Sequence, residues 1–232
     1  MSAERPRQLP LELGHSPGHS RDELVVSPAN MHAVSLLDSW PDWPSNVVVL
    51  AGPPGSGKSH VASIWRELSG ALAIGRDAIG EAEIAAAAAG PVLIDDADAG
   101  GLDEAGLFHL FNAARQSGTH MLLTARRFPA AWGVKLPDLA SRLKAAATVE
   151  IHEPDDLLLS GVITKLFADR QVEVDQQVVQ FLVKRIERSL ATAIRVVDRL
   201  DHRALEEKSR ITRQLAAGVL GAMDAGQGAL DL

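Results

Sequence analysis

The stretch GPPGSGKS at residues 52–59 decides the fold. It fits the phosphate-loop pattern G-x-x-x-x-G-K-[ST] at every fixed position. The apolar run NVVVLAG (46–52) precedes it and HVASIWREL (60–68) follows it, so the loop joins a predicted strand to a predicted helix. The glycines let backbone N–H groups turn towards phosphate oxygens, and the helix N-terminus adds a favourable dipole. We therefore predict a site for an adenine or guanine nucleotide rather than a chance glycine-rich turn.

Each position of this loop has an expected role. Lys58 would reach the β- and γ-phosphates, and the Ser59 hydroxyl would coordinate Mg²⁺. The candidate nucleotide-binding residues of the loop are Gly52, Pro53, Pro54, Gly55, Ser56, Gly57, Lys58 and Ser59. Binding alone does not predict hydrolysis, because a fast NTPase also needs a group that orients the attacking water and a cation at the γ-phosphate.

The stretch VLIDDAD, at residues 92–98, supplies the second half of the site. An apolar strand that ends in Asp95 places a carboxylate beside the metal, usually through water. Asp96 follows, where a general base or a water-positioning carboxylate would stand. Two solvated acids at a strand end are the alternative. The phosphate loop upstream favours the functional interpretation.

Strand-like and helix-like stretches alternate up to residue 154. After the run at 46–52, the runs at 71–75, 91–98, 120–127 and 148–154 have the character of strands that helices cover on both faces. The alternation predicts a doubly wound α/β domain with a five-stranded parallel sheet. We expect Trp40 and Trp43 to pack beneath this domain, and Phe108 and Phe111 to lie in its core.

From Asp155 onwards the sequence changes to amphipathic helices, at 155–170, 175–188, 189–207 and 211–220. Asp155, Asp175 and Ser189 each precede an apolar periodic stretch and are the expected N-caps. The predicted organisation is a flexible tail at 1–21, an α/β nucleotide-binding domain at 22–154, a small all-helical lid domain at 155–220 and a C-terminal tail at 221–232.

Composition and charge restrict the classes of function and of partner that we expect for the chain. The chain has 232 residues, no cysteine and a net charge of −7, with 30 acidic against 23 basic residues. Proteins that grip DNA phosphates are normally basic, so we expect little direct DNA binding. No stretch approaches the ~20 apolar residues of a membrane span, and the first residues do not form a signal peptide. The absence of cysteine suits a reducing cytoplasm, so we expect a cytoplasmic protein without a membrane partner.

A phosphate loop, an Asp-Asp pair, a strand ending at Thr124 and a C-terminal helical lid together resemble the AAA+ ATPases. GKSH (57–60) and DELVVSPAN (22–30) resemble the bacterial replication initiator DnaA. LPDLASRL (136–143) is similar to a segment of Hda, the family of DnaA-related regulators. The resemblance extends from the tail to about residue 220.

The resemblance implies ADP or ATP with Mg²⁺ as cofactors. It adds His60 to the nucleotide-binding residues and assigns Val25 and Val26 to an adenine pocket. Thr124 becomes a strand-end sensor. Arg142 is implied to be an arginine finger for the ATP bound to DnaA, and a finger supplied in trans is worth ~10³–10⁵ in rate. An ordinary surface arginine in a salt bridge is the alternative for Arg142.

The tail contains the hexapeptide QLPLEL at residues 8–13. Hda proteins carry a similar hexapeptide that binds the hydrophobic pocket of the sliding clamp, the β subunit of DNA polymerase III. Gln8 would hydrogen-bond at the pocket mouth, Leu11 and Leu13 would fill the cleft, and Leu9 would make a secondary contact. Such extended peptides use a few apolar anchors and accept a disordered flank. A leucine-bearing tail without a partner is the alternative.

The two sensors of the family pattern are irregular in this chain. The second sensor arginine of the lid would fall near Ala191, whereas this chain has Arg195 one turn later, which makes Arg195 a candidate nucleotide ligand. Ala125 and Arg126 stand where the initiator has a Ser or Gly and an Asp. Both departures predict weak or no intrinsic ATPase activity.

The resemblance thus implies a negative regulator of chromosomal replication initiation, which docks on the DNA-loaded clamp and stimulates hydrolysis of ATP on DnaA. A self-contained AAA+ ATPase and a DnaA-like initiator or loader are the alternatives. The acidic charge and the short stretch after the lid weigh against the initiator, and the irregular sensors weigh against the ATPase. Homo-oligomerisation is left open by the sequence.

Overall fold

The computed structural model describes residues 21–227. The hexapeptide with its four predicted clamp ligands, Gln8, Leu9, Leu11 and Leu13, lies outside the described residues. The described chain divides into two compact units. Residues 21–159 with 188–191 form the α/β unit, and residues 160–187 with 192–227 form the helical unit.

The α/β unit contains a five-stranded parallel sheet in the order β2-β3-β4-β1-β5. The strands are β1 (Val47–Ala51), β2 (Leu72–Ala73), β3 (Val92–Ile94), β4 (Met121–Ala125) and β5 (Ala147–Glu150). β1 pairs with β4 on one side and with β5 on the other. The carboxyl ends of β1, β3 and β4 therefore meet at one edge of the sheet.

Helices cover both faces of this sheet. They are α1 (Met31–Asp38), α2 (Lys58–Ser69), α3 (Glu81–Ala89), α4 (Glu104–Ser117) and α5 (Pro137–Ala145). Alternate residues of β1 enter different cores: Val49 packs in the cluster that contains Leu107 of α4, and Leu50 packs in the cluster that contains Trp65 of α2. Successive strand residues point to opposite faces, so the continuous apolar run of β1 is explained and the predicted fold class is confirmed.

An aromatic cluster lies in the core on the α2 side of the sheet. The Trp43 ring stacks on Trp65 with centroids 5.0 Å apart, and the Trp40 ring meets Trp65 edge-on at 5.3 Å. Trp43 Nε1 donates to the Leu36 carbonyl at 2.8 Å. The expected packing of Trp40 and Trp43 is confirmed. His120 lies 4.7 Å from Trp40, and burial lowers the pKa of its imidazole.

The C-terminal part of the described chain contains α6 (Asp156–Asp169), α7 (Gln176–Val183), α8 (Leu190–Glu207) and α9 (Arg213–Gln227). Asp155 accepts the Leu158 N–H and Asp175 accepts the Gln177 N–H, each at 2.7 Å, so both act as predicted N-caps. The last helix, α9, continues to Gln227, past the predicted start of the C-terminal tail at residue 221. None of the helices in the described part of the chain is long and apolar enough to cross a membrane.

Candidate nucleotide-binding site

The phosphate loop joins β1 to α2 and depends on its glycines. Gly55 and Gly57 have φ values of +73° and +98°, in the left-handed region that other residues rarely adopt. Gly52 meets the backbone after β5 so closely that a Cβ on it would stand 2.2 Å from the Ile151 carbonyl oxygen. A side chain at any of these three positions would displace the loop. The pattern read from the sequence therefore has a backbone explanation.

Two polar groups of the loop fit a phosphate ligand. Ser56 Oγ is buried and has no hydrogen-bond partner among the described residues. Lys58 is only 6% exposed, and its Nζ donates to the Pro53 carbonyl at 2.8 Å. Burial lowers the pKa of Lys58, and the nearby Asp96 opposes that shift. Phosphate oxygens would stabilise the buried ammonium and give the hydroxyl an acceptor, so these residues suit a nucleotide phosphate chain.

The structure brings Ser59, Asp95 and Thr124 together from three different segments. Ser59 Oγ donates to Asp95 Oδ1 at 3.1 Å, and Thr124 Oγ1 also donates to Asp95 Oδ1. Ser59 is exposed, whereas Thr124 is fully buried. Mg²⁺ in nucleotide sites binds through one or two protein oxygens together with substrate phosphates. Ser59 and Asp95 are the residues of this chain that would hold it.

Asp96 has a constrained backbone beside Asp95. Its φ is +52°, and its N–H donates to Thr124 Oγ1 at 2.8 Å. The next N–H, of Ala97, donates to the Thr124 carbonyl at 2.8 Å. The turn after β3 is therefore fixed to the end of β4. This arrangement holds Asp96 at the edge of the site, where its carboxylate is 40% exposed.

Asp98 is a site residue that the sequence reasoning did not single out. Its side chain is 2% exposed and accepts the N–H groups of Arg126 and Arg127, at 2.8 and 3.1 Å. The Arg127 side chain donates to the same carboxylate at 3.2 Å. Asp98 thus fixes the segment that follows β4. The third acid of DDAD was the signal available in the sequence.

Arg126 extends from this fixed segment towards the acidic pair. Its guanidinium lies 3.7 Å from Asp96 Oδ2, and its side chain is 55% exposed. The positive charge of Arg126 also contributes to the lowered pKa of Lys58. A cation of this chain therefore acts on the candidate site in addition to Lys58.

The start of α8 packs against the phosphate loop within the α/β unit. Leu190 N–H donates to the Gly55 carbonyl at 2.8 Å, and a Cβ on Gly55 would be 2.1 Å from Ser189 Oγ. The sequence identified Ser189 only as a predicted cap. Ala191 follows in the first turn of α8. Arg195 belongs to the helical unit, where it donates to Thr192 Oγ1 at 3.0 Å, and its contact with nucleotide stays a prediction.

The segment before α1 is anchored by hydrogen bonds to its backbone carbonyls. Asn30 Nδ2 donates to the Val25 carbonyl at 2.8 Å, and the His152 N–H after β5 donates to the Ala29 carbonyl at 3.0 Å. Val25 is half-buried and Val26 is 46% exposed. The adenine pocket assigned to these valines stays a prediction, as do the roles of the exposed Pro54 and the half-buried His60.

Arg142 lies on α5 in a well-defined setting. It is half-buried, and its guanidinium carbon is 4.7 Å from the centre of the Phe108 ring. No carboxylate of the described residues forms an ion pair with it. The start of α5 is anchored by Glu104, which accepts the N–H groups of Lys135 and Leu136 at 2.9 and 2.7 Å. The sequence did not identify Glu104.

The sheet order, the phosphate loop and the polar residues at the ends of β3 and β4 define an AAA+ domain of the phosphate-loop class. Residues 163–219 match the family model described as the lid domain of Hda. The helical unit is therefore similar to the lid domain of Hda. The match covers the lid alone.

Several solved structures share this fold. Domain III of the replication initiation protein DnaA from Thermotoga maritima has a TM-score of 0.76 and 18% identity, and covers 89% of this chain and 97% of that one. AMPPCP-bound DnaA from Aquifex aeolicus has a TM-score of 0.71 and 17% identity, and covers 82% of this chain and 67% of that one. A point mutant of Thermotoga maritima RuvB has a TM-score of 0.73 and 18% identity, and covers 89% of this chain and 73% of that one.

A sequence relative is an uncharacterized protein of Haemophilus influenzae, 31% identical over 110 residues. The aligned part spans 47% of this chain and 48% of the relative, about half the length of each. The lid match and the DnaA-like fold confirm the resemblance read from the sequence: the chain is similar to Hda-like, DnaA-related proteins.

Proposed function

We propose that this protein is a negative regulator of chromosomal replication initiation that binds ADP or ATP with Mg²⁺ and stimulates hydrolysis of the ATP held by DnaA. Arg142 supplies the arginine finger in trans. The hexapeptide at 8–13 docks the protein on the DNA-loaded sliding clamp. The match of residues 163–219 to the Hda lid carries this proposal, because it separates the chain from other proteins of the same fold.

The setting of Arg142 supports its role. The guanidinium is kept over Phe108 rather than neutralised by a carboxylate of the described residues. An arginine held on an aromatic face retains its positive charge and its N–H donors, so it is available to a phosphate. Glu104 anchors the backbone in front of α5 and so limits the positions that Arg142 can adopt.

A self-contained AAA+ ATPase is the rival function. The fold alone does not separate the two, because the RuvB and DnaA structures match this chain with similar TM-scores. Arg126 directly after β4 and Ala191 at the start of α8 depart from the family sensors, and these departures support weak intrinsic turnover. ATP turnover by the isolated protein separates the two functions, because an ATPase motor hydrolyses ATP without DnaA.

Single-turnover conversion of ATP to ADP on DnaA tests the proposal. The wild type with DNA-loaded clamp is expected to accelerate this conversion, and Arg142→Ala is expected to lose the acceleration. A double alanine change at Leu11 and Leu13 is expected to lose it through the clamp. Lys144→Ala, an exposed cation on the same helix, is the matched control and should keep wild-type acceleration. Clamp binding without any acceleration by the wild type would refute the finger.

A further inference from the structure

Arg126 is a positively charged residue at the candidate site, where the initiator pattern has an Asp. Its guanidinium lies 3.7 Å from Asp96 Oδ2, and the two side chains are 55% and 40% exposed. An exposed pair at this distance gains little, because water screens both charges. The pair is therefore weak enough to be broken by a competing anion.

The backbone is fixed at both ends of this pair. Asp96 is held by its N–H donation to Thr124 Oγ1, at 2.8 Å. Arg126 is held by its N–H donation to Asp98 Oδ1, also at 2.8 Å, and Asp98 is almost fully buried. The long arginine side chain is consequently the part of the pair that can move. An exchange of partners requires rotation of that side chain and no change in the surrounding backbone.

The charge of Arg126 acts on the phosphate-loop lysine. Burial lowers the pKa of Lys58, and Arg126 lowers it further, whereas Asp96 raises it. Lys58 is the residue that the phosphate loop provides for the β- and γ-phosphates. The Arg126–Asp96 pair therefore lies within electrostatic range of the lysine that the phosphate loop provides.

We propose that Arg126 and Asp96 form an exchangeable ion pair through which the chain distinguishes a nucleoside triphosphate from a diphosphate. A terminal phosphate draws the guanidinium away from Asp96, because phosphate carries more charge and more acceptor oxygens than a carboxylate. A diphosphate leaves the pair in place. This inference rests on the proposed nucleotide site and assigns to Arg126 the choice between its two candidate ligands.

Isothermal titration calorimetry of ATP and ADP binding to the full chain with Mg²⁺ tests this. Arg126→Gln is expected to weaken ATP binding about tenfold, the effect of one lost charge-assisted hydrogen bond, and ADP binding less than about twofold. Arg126→Lys is expected to recover part of the ATP affinity. Arg127→Gln is the matched control, because the Arg127 side chain donates to Asp98 at 3.2 Å, and its ATP-to-ADP affinity ratio should equal that of the wild type.

The outcomes separate this inference from the nucleotide site itself. Lys58→Ala is expected to lose both nucleotides. If it does so while Arg126→Gln keeps the wild-type affinity ratio, the nucleotide site stands and the ion-pair inference is wrong. If the wild type binds neither nucleotide, both the nucleotide site and the ion-pair inference are wrong. The Arg126 side chain is largely exposed, so the unfolding temperature of Arg126→Gln should equal that of the wild type. A large decrease in that temperature would mean that the affinity loss comes from misfolding, and it would overturn the inference.

Discussion

Leu190 donates its backbone N–H to the carbonyl of Gly55 at 2.8 Å, so the first residue of α8 is tied to the phosphate loop. The residue before it, Ser189, fills the space into which a Cβ on Gly55 would project. Gly55 is therefore constrained twice, by its own left-handed backbone and by a neighbour that is remote in the sequence. A change at Gly55 acts on the loop and on the start of α8 together.

Alanine at Gly55 should lower the free energy of unfolding by about 2–4 kcal/mol, the combined effect of left-handed strain and overpacking against Ser189. Gly70→Ala is the matched control, because Gly70 has a φ of +69° but no atom within 4 Å of an added Cβ. That variant should lose only about 1–2 kcal/mol. Urea unfolding at equal m-values measures both. Equal losses at the two positions would show that the Ser189 contact is without effect.

Alanine at Glu104 should weaken the stimulation of DnaA that we attribute to Arg142. The Glu104 carboxylate accepts two backbone N–H groups in front of α5. After its removal water replaces it at the exposed Lys135 N–H, whereas the part-buried Leu136 N–H loses its acceptor, which costs about 1 kcal/mol of stability. We expect about a tenfold loss in stimulated hydrolysis, because small displacements of a reacting group reduce rates strongly. The affinity of the chain for its own nucleotide should stay unchanged.

The control for Glu104 is Asp138→Ala, an exposed acid in the first turn of α5. It should keep both stability and stimulation. A Glu104→Ala variant that stimulates DnaA as well as the wild type does, despite lowered stability, would mean that the anchored backbone does not position Arg142.

His120 should make stability depend on pH. Burial lowers the pKa of its imidazole in the folded chain below the ordinary value of 6.5. Between the folded-state pKa and 6.5, the unfolded chain therefore binds more protons than the folded chain. The free energy of unfolding should therefore decrease as pH falls from 6.5 through the folded-state pKa, and His120 should add no slope at higher pH. His120→Gln should remove this part of the slope. Urea midpoints across this pH range, followed by far-ultraviolet circular dichroism, measure it.

Exposed histidines provide the comparison for this pH dependence. His32 is exposed on α1 in the same unit, so His32→Gln should retain the slope of the wild type. If the pH dependence survived in His120→Gln but disappeared in His32→Gln, it would arise from His32, and the prediction for His120 would be wrong.

The phosphate loop, the strands and the lid could be predicted from the sequence because their signals are local. Glycine spacing, an apolar run and an N-cap such as Asp155 are each complete within a few residues. The proximity of Ser59, Asp95 and Thr124 was also predictable, because parallel strands place their carboxyl ends at one edge of the sheet. The family resemblance supplied the role of Thr124.

Asp98 and Glu104 could not be assigned in this way. Each carboxylate accepts backbone N–H groups from a distant segment, at Arg126 and at Lys135, and a backbone donor leaves no mark in the amino-acid sequence. The contact of Leu190 with Gly55 is of the same kind. What the sequence did not provide was the long-range hydrogen bonding that holds the site together.

The positions of the tryptophans give the two units different optical signatures. All four tryptophans of the chain, at 40, 43, 65 and 132, belong to the α/β unit, and the stacked pair of Trp43 and Trp65 lies in its core. Tryptophan emission thus reports the melting of the α/β unit alone, whereas helical ellipticity reports both units. Following the two signals in one titration gives the order in which the halves unfold, without any introduced label.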